Sequence, residues 1–347
     1  MESNDAILTD VFGKPGGFWR ESTTLVGIPR ADPWLSGLVG SAWAGRLQNV
    51  RLALRLLWRR HQARGIVTEG GLDGLLFAIL QALLPWGRKP HVLVDCCWYL
   101  PKTRLGRRLR SWQLQLAARS ARQFVVWAAH EVDDYAEAFG IPRDRFVYVP
   151  FHDTLTGYAV EERDDGYLFG GGNYDRDYRT LVEAVRPLHV PVWIATTLPG
   201  QLAGLDLPPR VRVEGTTAAG FRQAMAAARL VVVPMQKGLL HSGGQQTCLN
   251  AMRLGKPTIA VGRAWAKDLV ADGVNGLIVD YEDVTGLRQA IRWVIDHPEA
   301  ARQMAERGRA HAAQFTARRC MESIYHLALS AGTPGCTDYS AAEVCRA

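Results

Sequence analysis

Lysine is scarce in this chain: six of its 41 basic residues, the rest being arginine. With serine and glutamate also sparse, the composition argues against long disordered stretches. There is no cysteine framework either. Cys96, Cys97, Cys248, Cys320, Cys336 and Cys345 show no CxxC spacing, which removes the usual tetrahedral zinc sites and leaves reduced thiols as the expectation. No run of eighteen apolar residues occurs, and the longest helical apolar segment, Leu75 to Trp86, is too short to span a bilayer. The opening MESNDAILTD is acidic and polar, so no signal peptide is expected and a cytoplasmic location is.

What is present fits two domains. The 347 residues, 48% of them hydrophobic, suffice for two cores of roughly 150 to 180 residues each. The net charge of +7 admits three partners: nucleic acid, an anionic membrane surface, or a phosphorylated ligand. Nucleic acid is not expected, because neither a helix-turn-helix nor a basic stripe with interleaved aromatics is recognisable.

The first sixty residues are the hardest to read. Gly16-Gly17 reads as a turn that could open a ligand site. From Arg46 to Arg60, Leu47, Val50, Leu54 and Leu57 recur at helical spacing beside a row of Arg51, Arg55 and Arg59, which predicts an amphipathic helix. Strands are predicted at 65–68, 91–95, 124–127 and 146–149, alternating with helices at 72–84, 105–118 and 131–139. A polar stretch, Glu161 to Gly166, is the best boundary. A second alternation follows, with strands at 167–169, 192–195, 211–213, 230–233, 257–260 and 276–279, and helices at 178–185, 218–228, 246–254 and 284–295. One or two helices run from Pro298 to about Ser330, and Ala331 to Ala347 reads as a loose extension. The expected architecture is α/β: an open parallel sheet in each half, flanked by helices, with ligands at the carboxyl ends of the strands.

The most specific segment is SGGQQTCLNAMRLGKPTIA, Ser242 to Ala260. It is a glycine-rich loop entering a helix whose first amides can receive a diphosphate. Before it stands Val231-Val232-Val233-Pro234, after it Asp272-Gly273-Val274-Asn275-Gly276-Leu277-Ile278-Val279, and far upstream Phe169-Gly170-Gly171-Gly172. These landmarks, in this order, resemble the retaining glycosyltransferases of GT-B fold, of the family 4 type (glycosyl transferases group 1), over roughly residues 125 to 300. The resemblance implies two Rossmann-like domains facing each other across a cleft. They are an acceptor-binding domain at 1–160, a donor-binding domain at 161–315, and a helix and tail at 316–347 that can return to the first domain.

The activity so implied is transfer of a sugar, a hexose in kind, from a nucleoside diphosphate donor with retention at the anomeric carbon. A role in building cell-envelope polysaccharide goes with it. Donor contacts fall on Gly171, Gly172, Asn173, His241, Ser242, Gly243, Gly244, Gln245, Gln246, Thr247 and Asn250. The chain departs from the family where two glutamates stand eight apart, having Ser242 and Asn250 instead. Asn250 keeps an amide oxygen for the ribose hydroxyls, while His241, Gln245 and Gln246 are left to hold the sugar. Asn173 stands at the family's arginine position and Arg176 where its lysine is expected; arginine grips phosphate in two places. Lys237 is a second candidate cation. Asp175-Arg176-Asp177 has DxD spacing, but Asp177 fits equally as a helix cap, so no metal and no cofactor beyond the donor is expected.

On the acceptor side, Glu69 and His130 follow the carboxyl ends of strands, Glu69 to bind the acceptor and His130 to steer its reacting hydroxyl. The acceptor itself stays open: a sugar, a lipid-linked sugar or another small molecule. The basic helical stretches 46–64 and 102–110, with Trp58 and Trp112, fit either peripheral contact with an anionic membrane or an arginine-rich solvent face. The different-class reading is a non-catalytic nucleotide-sugar-binding or partner protein with a degenerate donor site, suggested by Ser242 and Asn250.

Overall fold

The computed structural model describes residues 7–11, 18–26, 41–84 and 86–330, without the side chains of 41–44. Gly16-Gly17, Cys336, Cys345 and the extension 331–347 lie outside the described residues. Two compact units form: Met1–Val149 together with Arg318–Ala347, and Pro150–Ala317.

In the first unit the elements are β1 (Ile7–Thr9), α1 (Phe18–Ser22), β2 (Thr23–Leu25), α2 (Ser41–Arg59), β3 (Gly65–Glu69), α3 (Leu72–Leu83), β4 (His91–Val94), α4 (Arg104–Ala118), β5 (Gln123–Val126), α5 (Glu131–Phe139) and β6 (Phe146–Tyr148). The strands pair in parallel in the order β2-β1-β3-β4-β5-β6. Strand order therefore reverses between β1 and β3, the kind of place where open α/β sheets leave a crevice beyond the strand ends. Buried Leu8, Ile66, Leu52, Ala53, Leu56 and Phe77 make one core cluster of this unit.

The second unit runs β7 (Leu168–Gly171), α6 (Tyr178–Val185), β8 (Val192–Ala195), β9 (Val211–Val213), α7 (Ala218–Ala226), β10 (Leu230–Pro234), α8 (Gln245–Arg253), β11 (Thr258–Val261), α9 (Arg263–Ala266), β12 (Leu277–Val279), α10 (Val284–Asp296) and α11 (Pro298–Ala312). Its sheet is also parallel, in the order β12-β11-β10-β7-β8-β9, with the reversal between β7 and β10. Leu168, Val232, Ile259 and Ile194, from four of its strands, are completely buried with Leu181, Leu287 and Ile291 from the flanking helices. Burial of both sheet faces explains why these strands read as unbroken apolar runs. The last helix, α12 (Ala317–Ser330), begins at the boundary between the units. In the first unit its Ala328 carbonyl presses on Gly65, where a Cβ would come within 2.7 Å.

The helix predicted from Arg46 exists as α2 but faces the other way round. Leu52, Ala53 and Leu56 are buried, while Leu47, Val50 and Leu54 are exposed beside Arg51 and Arg55. The helix carries two apolar stripes, and the less conspicuous one packs on the sheet.

Candidate functional site

At the second unit's reversal, the chain leaving β7 turns through Gly171 and Gly172. Gly172 has φ +132°, and a Cβ there would lie 2.6 Å from Nε of Arg176. The missing side chain is what lets the guanidinium fold under the turn. Arg176 is only 8% exposed. Its Nε donates to the Gly171 carbonyl at 3.0 Å, and Nη1 donates to the Tyr174 carbonyl at 3.0 Å and to Met235 Sδ at 2.7 Å. Nη2 makes only a long 3.4 Å contact to Thr247 Oγ1. No carboxylate pairs with this guanidinium among the described residues. Burial pulls its pKa down, with Tyr178 and Asp175 opposing. A guanidinium does not shed its proton in a protein, so a positive charge is held out of water with no carboxylate hydrogen-bonded to it, Asp175 favouring it only from nearby.

The SGGQQ loop lies against this charge. Gly244 (φ +93°) precedes α8, and a Cβ on it would meet Met235 Sδ and Val233 Cγ1 at 2.9 Å. A Cβ on Gly243 would lie 3.8 Å from Arg176 Nη1. Small residues thus bring the amide end of α8 next to the guanidinium, and both favour an anion. His241, Ser242, Gln245, Thr247 and Asn250, in this loop and the first turns of α8, are all buried polar residues.

The remaining donor-side candidates divide. Asn173 ties the β7 turn to the loop after β8: its Oδ1 accepts from Thr196 Oγ1 at 3.1 Å and from the Thr197 amide at 2.9 Å. Asn250 binds Thr154 twice, Oδ1 accepting from the Thr154 amide at 2.8 Å and Nδ2 donating to Oγ1 at 2.9 Å. Gln246, exposed, donates to the same Oγ1 at 2.9 Å. Lys237 is well exposed and reaches Glu282 at 3.5 Å. Asp177 caps α6, accepting from the Thr180 amide at 3.0 Å and its hydroxyl at 2.6 Å. The Asp272–Val279 element is a turn closed on itself, Asp272 accepting from the Ile278 amide and Asn275 from the Ala271 amide, both at 2.8 Å.

In the first unit, Glu69 ends β3 at that sheet's reversal. Burial, then Asp95, then Asp73 raise its pKa. Its amide donates to Oδ1 of Asp10, 2.9 Å away, the residue that follows β1. Asp10 is 3% exposed, and its Oδ2 has no hydrogen-bond partner among the described residues. Burial and the nearby Asp73 carboxylate hold it well above the ordinary carboxylate range. Asp95 follows β4 in the left-handed region (φ 54°) and accepts from Trp127 Nε1 at 2.7 Å. Asp10 and Asp73 were not singled out by the sequence; the signal available was Ile7-Leu8-Thr9, a short β-prone run followed directly by the acid Asp10. His130 precedes α5 without capping it, standing 3.8 Å from Asp134. The neighbouring Glu131 instead holds the segment before the helix, its Oε2 accepting from the Trp127 and Ala128 amides at 3.0 and 3.1 Å.

Residues 168–297, which lie in the second unit, match the family model described as Glycosyl transferases group 1. No curated protein matches the chain. Among solved structures, Anabaena Alr3699/HepE in complex with UDP-glucose aligns with a TM-score of 0.64 at 18% identity, over 94% of this chain and 99% of that one. Sucrose-phosphate synthase from Thermosynechococcus elongatus aligns with a TM-score of 0.67 at 16% identity, over 91% of this chain and 84% of that one. A glycosyltransferase from Rickettsia africae aligns with a TM-score of 0.61 at 12% identity, over 89% and 86%. The chain has the GT-B fold of two Rossmann-like domains, and its residues 168–297 are similar to the group 1 glycosyl transferases.

Proposed function

We propose that the chain is a glycosyltransferase that binds a nucleoside diphosphate sugar at the β7/β10 reversal and passes the sugar to a hydroxyl acceptor with retention of configuration. The observation that carries this reading is the buried guanidinium of Arg176, with no carboxylate hydrogen-bonded to it, beside Gly243 and the start of α8. A diphosphate supplies the direct anionic partner that the fold leaves out. During transfer the bond from the anomeric carbon to the diphosphate oxygen breaks, the acceptor oxygen bonds to that carbon, and its proton passes to the departing phosphate. Negative charge grows on the diphosphate as this happens, and Arg176 with the α8 amides opposes it without reorganising. In this reading the cation does the work elsewhere given to a metal. The binding of UDP-glucose by the Anabaena structure makes a uridine donor the first to try. The acceptor is a sugar, free or lipid-linked, or another small hydroxyl compound, met by Glu69 and Asp10.

The test is a melting-temperature screen of the full chain against nucleoside diphosphates and their sugars. A ligand bound by the folded state at a hundred times its Kd adds about 2.7 kcal/mol of stability, a readily measured shift. Absence of any shift at millimolar concentration across the panel overturns the proposal. Hydrolysis or transfer by a donor that does bind, with the product's anomeric configuration read by NMR, then separates retention from inversion.

A further inference from the structure

The first unit carries an outer surface that the sugar-transfer reading does not use. The helices α2, α3 and α4 pack side by side, α2 on α3 and α3 on α4. Helices on a sheet normally bury their apolar stripe and turn polar residues outward. Here α2 buries Leu52, Ala53 and Leu56 yet also exposes Leu47, Val50, Leu54 and Trp58, one residue per turn down a second stripe, with Trp58 82% exposed. In α4 the same pattern recurs: Leu114, Ala117 and Ala118 are buried, while Leu105, Leu109 and Trp112 stand out at helical spacing, Leu105 68% exposed. The end of α3 adds Leu83 and Leu84, and Trp86, 76% exposed, follows it. The Arg60 side chain donates to the Trp86 carbonyl and so ties the end of α2 to the end of α3. Of the seventeen large apolar side chains that the described residues leave exposed, thirteen belong to this unit. Solitary exposed apolar residues are ordinary, but aligned stripes on adjoining helices are not.

The charge of the same surface is equally one-sided. Residues 41 to 122 contain fifteen of the chain's 41 basic residues and only three of its 34 acidic ones, Glu69, Asp73 and Asp95. Those three lie at the carboxyl ends of β3 and β4 or the start of α3. The segments forming α2 and α4 contain no acid at all. Arg46, Arg51 and Arg55 of α2, and Arg104, Arg107 and Arg108 of α4, are exposed beside the apolar stripes. Arginine stems lie along apolar surface while their heads seek anions.

We propose that the α2–α3–α4 face is a docking surface for an anionic lipid bilayer. Phosphate headgroups complement the arginines, and the interfacial zone beneath them takes the Leu, Val and Trp side chains. A nucleic acid complements the arginines alone; its sugar-phosphate backbone offers nothing for Leu47, Val50, Leu54, Leu105 and Leu109. No helix among the described residues is long and apolar enough to cross a membrane, so the contact is interfacial. This inference does not depend on the donor site.

Co-sedimentation of the full chain with phosphatidylcholine vesicles, with and without phosphatidylglycerol, tests it. The chain should sediment with the anionic vesicles, release as salt is raised, and leave the neutral ones in the supernatant. Its tryptophan emission should shift to the blue on binding. The double variant Arg104→Gln/Arg108→Gln should bind about thirtyfold more weakly, two near-surface arginines having been removed. Leu105→Ser/Leu109→Ser should lose the emission shift, and both pairs, being exposed, should keep the wild-type melting temperature. No sedimentation with anionic vesicles, or equal sedimentation by wild type and variants, overturns the proposal. So does salt-sensitive binding to polyuridylate without vesicle binding, which assigns the face to nucleic acid. So too does an apolar variant that changes only the oligomeric state, which assigns the face to a second copy.

Discussion

Each of the two sheets reverses its strand order once, and each reversal buries an ionisable side chain, but of opposite sign. Between β7 and β10 it is Arg176; between β1 and β3 it is Asp10. The two respond differently to being buried. A carboxyl can take a proton and become neutral, and burial with Asp73 nearby pushes Asp10 that way. A guanidinium has no such exit. The second unit therefore keeps a buried charge with no anion hydrogen-bonded to it, whereas the first keeps a group able to accept from or donate to a hydroxyl. That contrast orders the experiments, because each tests whether a buried polar group is there for the fold or for a ligand.

The largest effect is expected from a group whose role is structural. His91 is completely buried in β4, its Nε2 at 2.8 Å from Thr68 Oγ1, and burial lowers its pKa from 6.5 to about 3. A depressed folded pKa contributes stability that is present above 6.5 and lost as pH falls through the folded value. Between pH 6.5 and about 3 the first unit should lose roughly 4 kcal/mol on this account, each pKa unit being ~1.4 kcal/mol. Hydrogen exchange on acidification should show β3 and β4 opening before β10 and β11. His91→Gln should flatten that slope. Equal protection loss in both sheets would mean that the comparison between units does not extend to acid stability.

Next is Arg176. Its replacement by Ala should lower turnover roughly a hundredfold, about 3 kcal/mol, the usual loss for one donor aimed at developing charge. Arg176→Met is sharper. If the charge serves a ligand, the ligand-free protein should melt no lower than wild type, because a buried unpaired charge has gone. The stabilisation given by a donor should vanish at the same time. A methionine variant that melts much lower, with donor binding intact, would make the arginine a brace for Gly171, Tyr174 and Met235.

How far the sequence foretold these features follows from their physics. Strands such as Leu230–Pro234 and Val192–Ala195 were legible because two-sided burial demands an unbroken apolar run, and the helices at 131–139 and 178–185 because periodicity and caps agree. The opening strands, Ile7–Thr9 and Thr23–Leu25, are three residues each, too short to show a period. In α2, periodicity revealed an apolar stripe but could not say which of two stripes packs inward. The glycines of the two turns were legible because each is needed where the backbone is crowded, by the Arg176 guanidinium at Gly172 and by Met235 and Val233 at Gly244. Contacts across long separations, Asn250 with Thr154 or Asp10 with Glu69, leave no local trace.

A smaller effect, of opposite sign, is expected at Asp10. A raised folded pKa contributes stability that is full below the unfolded value and lost as pH rises through the folded one. Asp10→Asn removes that loss while keeping an oxygen for the Glu69 amide. The variant should therefore be more stable than wild type at neutral pH, and the advantage should shrink as pH falls towards the ordinary carboxylate value. If Asp10 meets the acceptor, transfer should fall even as stability rises. A variant that is both more stable and equally active would remove Asp10 from the site.

The smallest effect tests the seam between chain entry and donor loop. Asn250 was expected to hold the donor ribose, yet both ends of its amide engage Thr154. The two roles are compatible, since an amide oxygen accepts twice. Asn250→Ala should weaken donor binding by roughly fivefold, the worth of one net hydrogen bond near 1 kcal/mol, and leave turnover almost unchanged, because a ribose contact exists before and during transfer alike. Thr154→Val separates the roles. It keeps the Thr154 amide that bonds Asn250 Oδ1 but removes the hydroxyl that receives Nδ2. If Asn250 acts on the ribose directly, Thr154→Val should bind donor much as wild type does, and Asn250→Glu, which offers a carboxylate to both the ribose and the Thr154 amide, should bind at least as well. If instead Asn250 acts only by fixing the segment around Thr154, then Asn250→Ala and Thr154→Val should weaken binding alike. Calorimetric titration of the three variants with the donor found in the melting screen decides between them, and matching losses in the first two would move Asn250 from the site to its support.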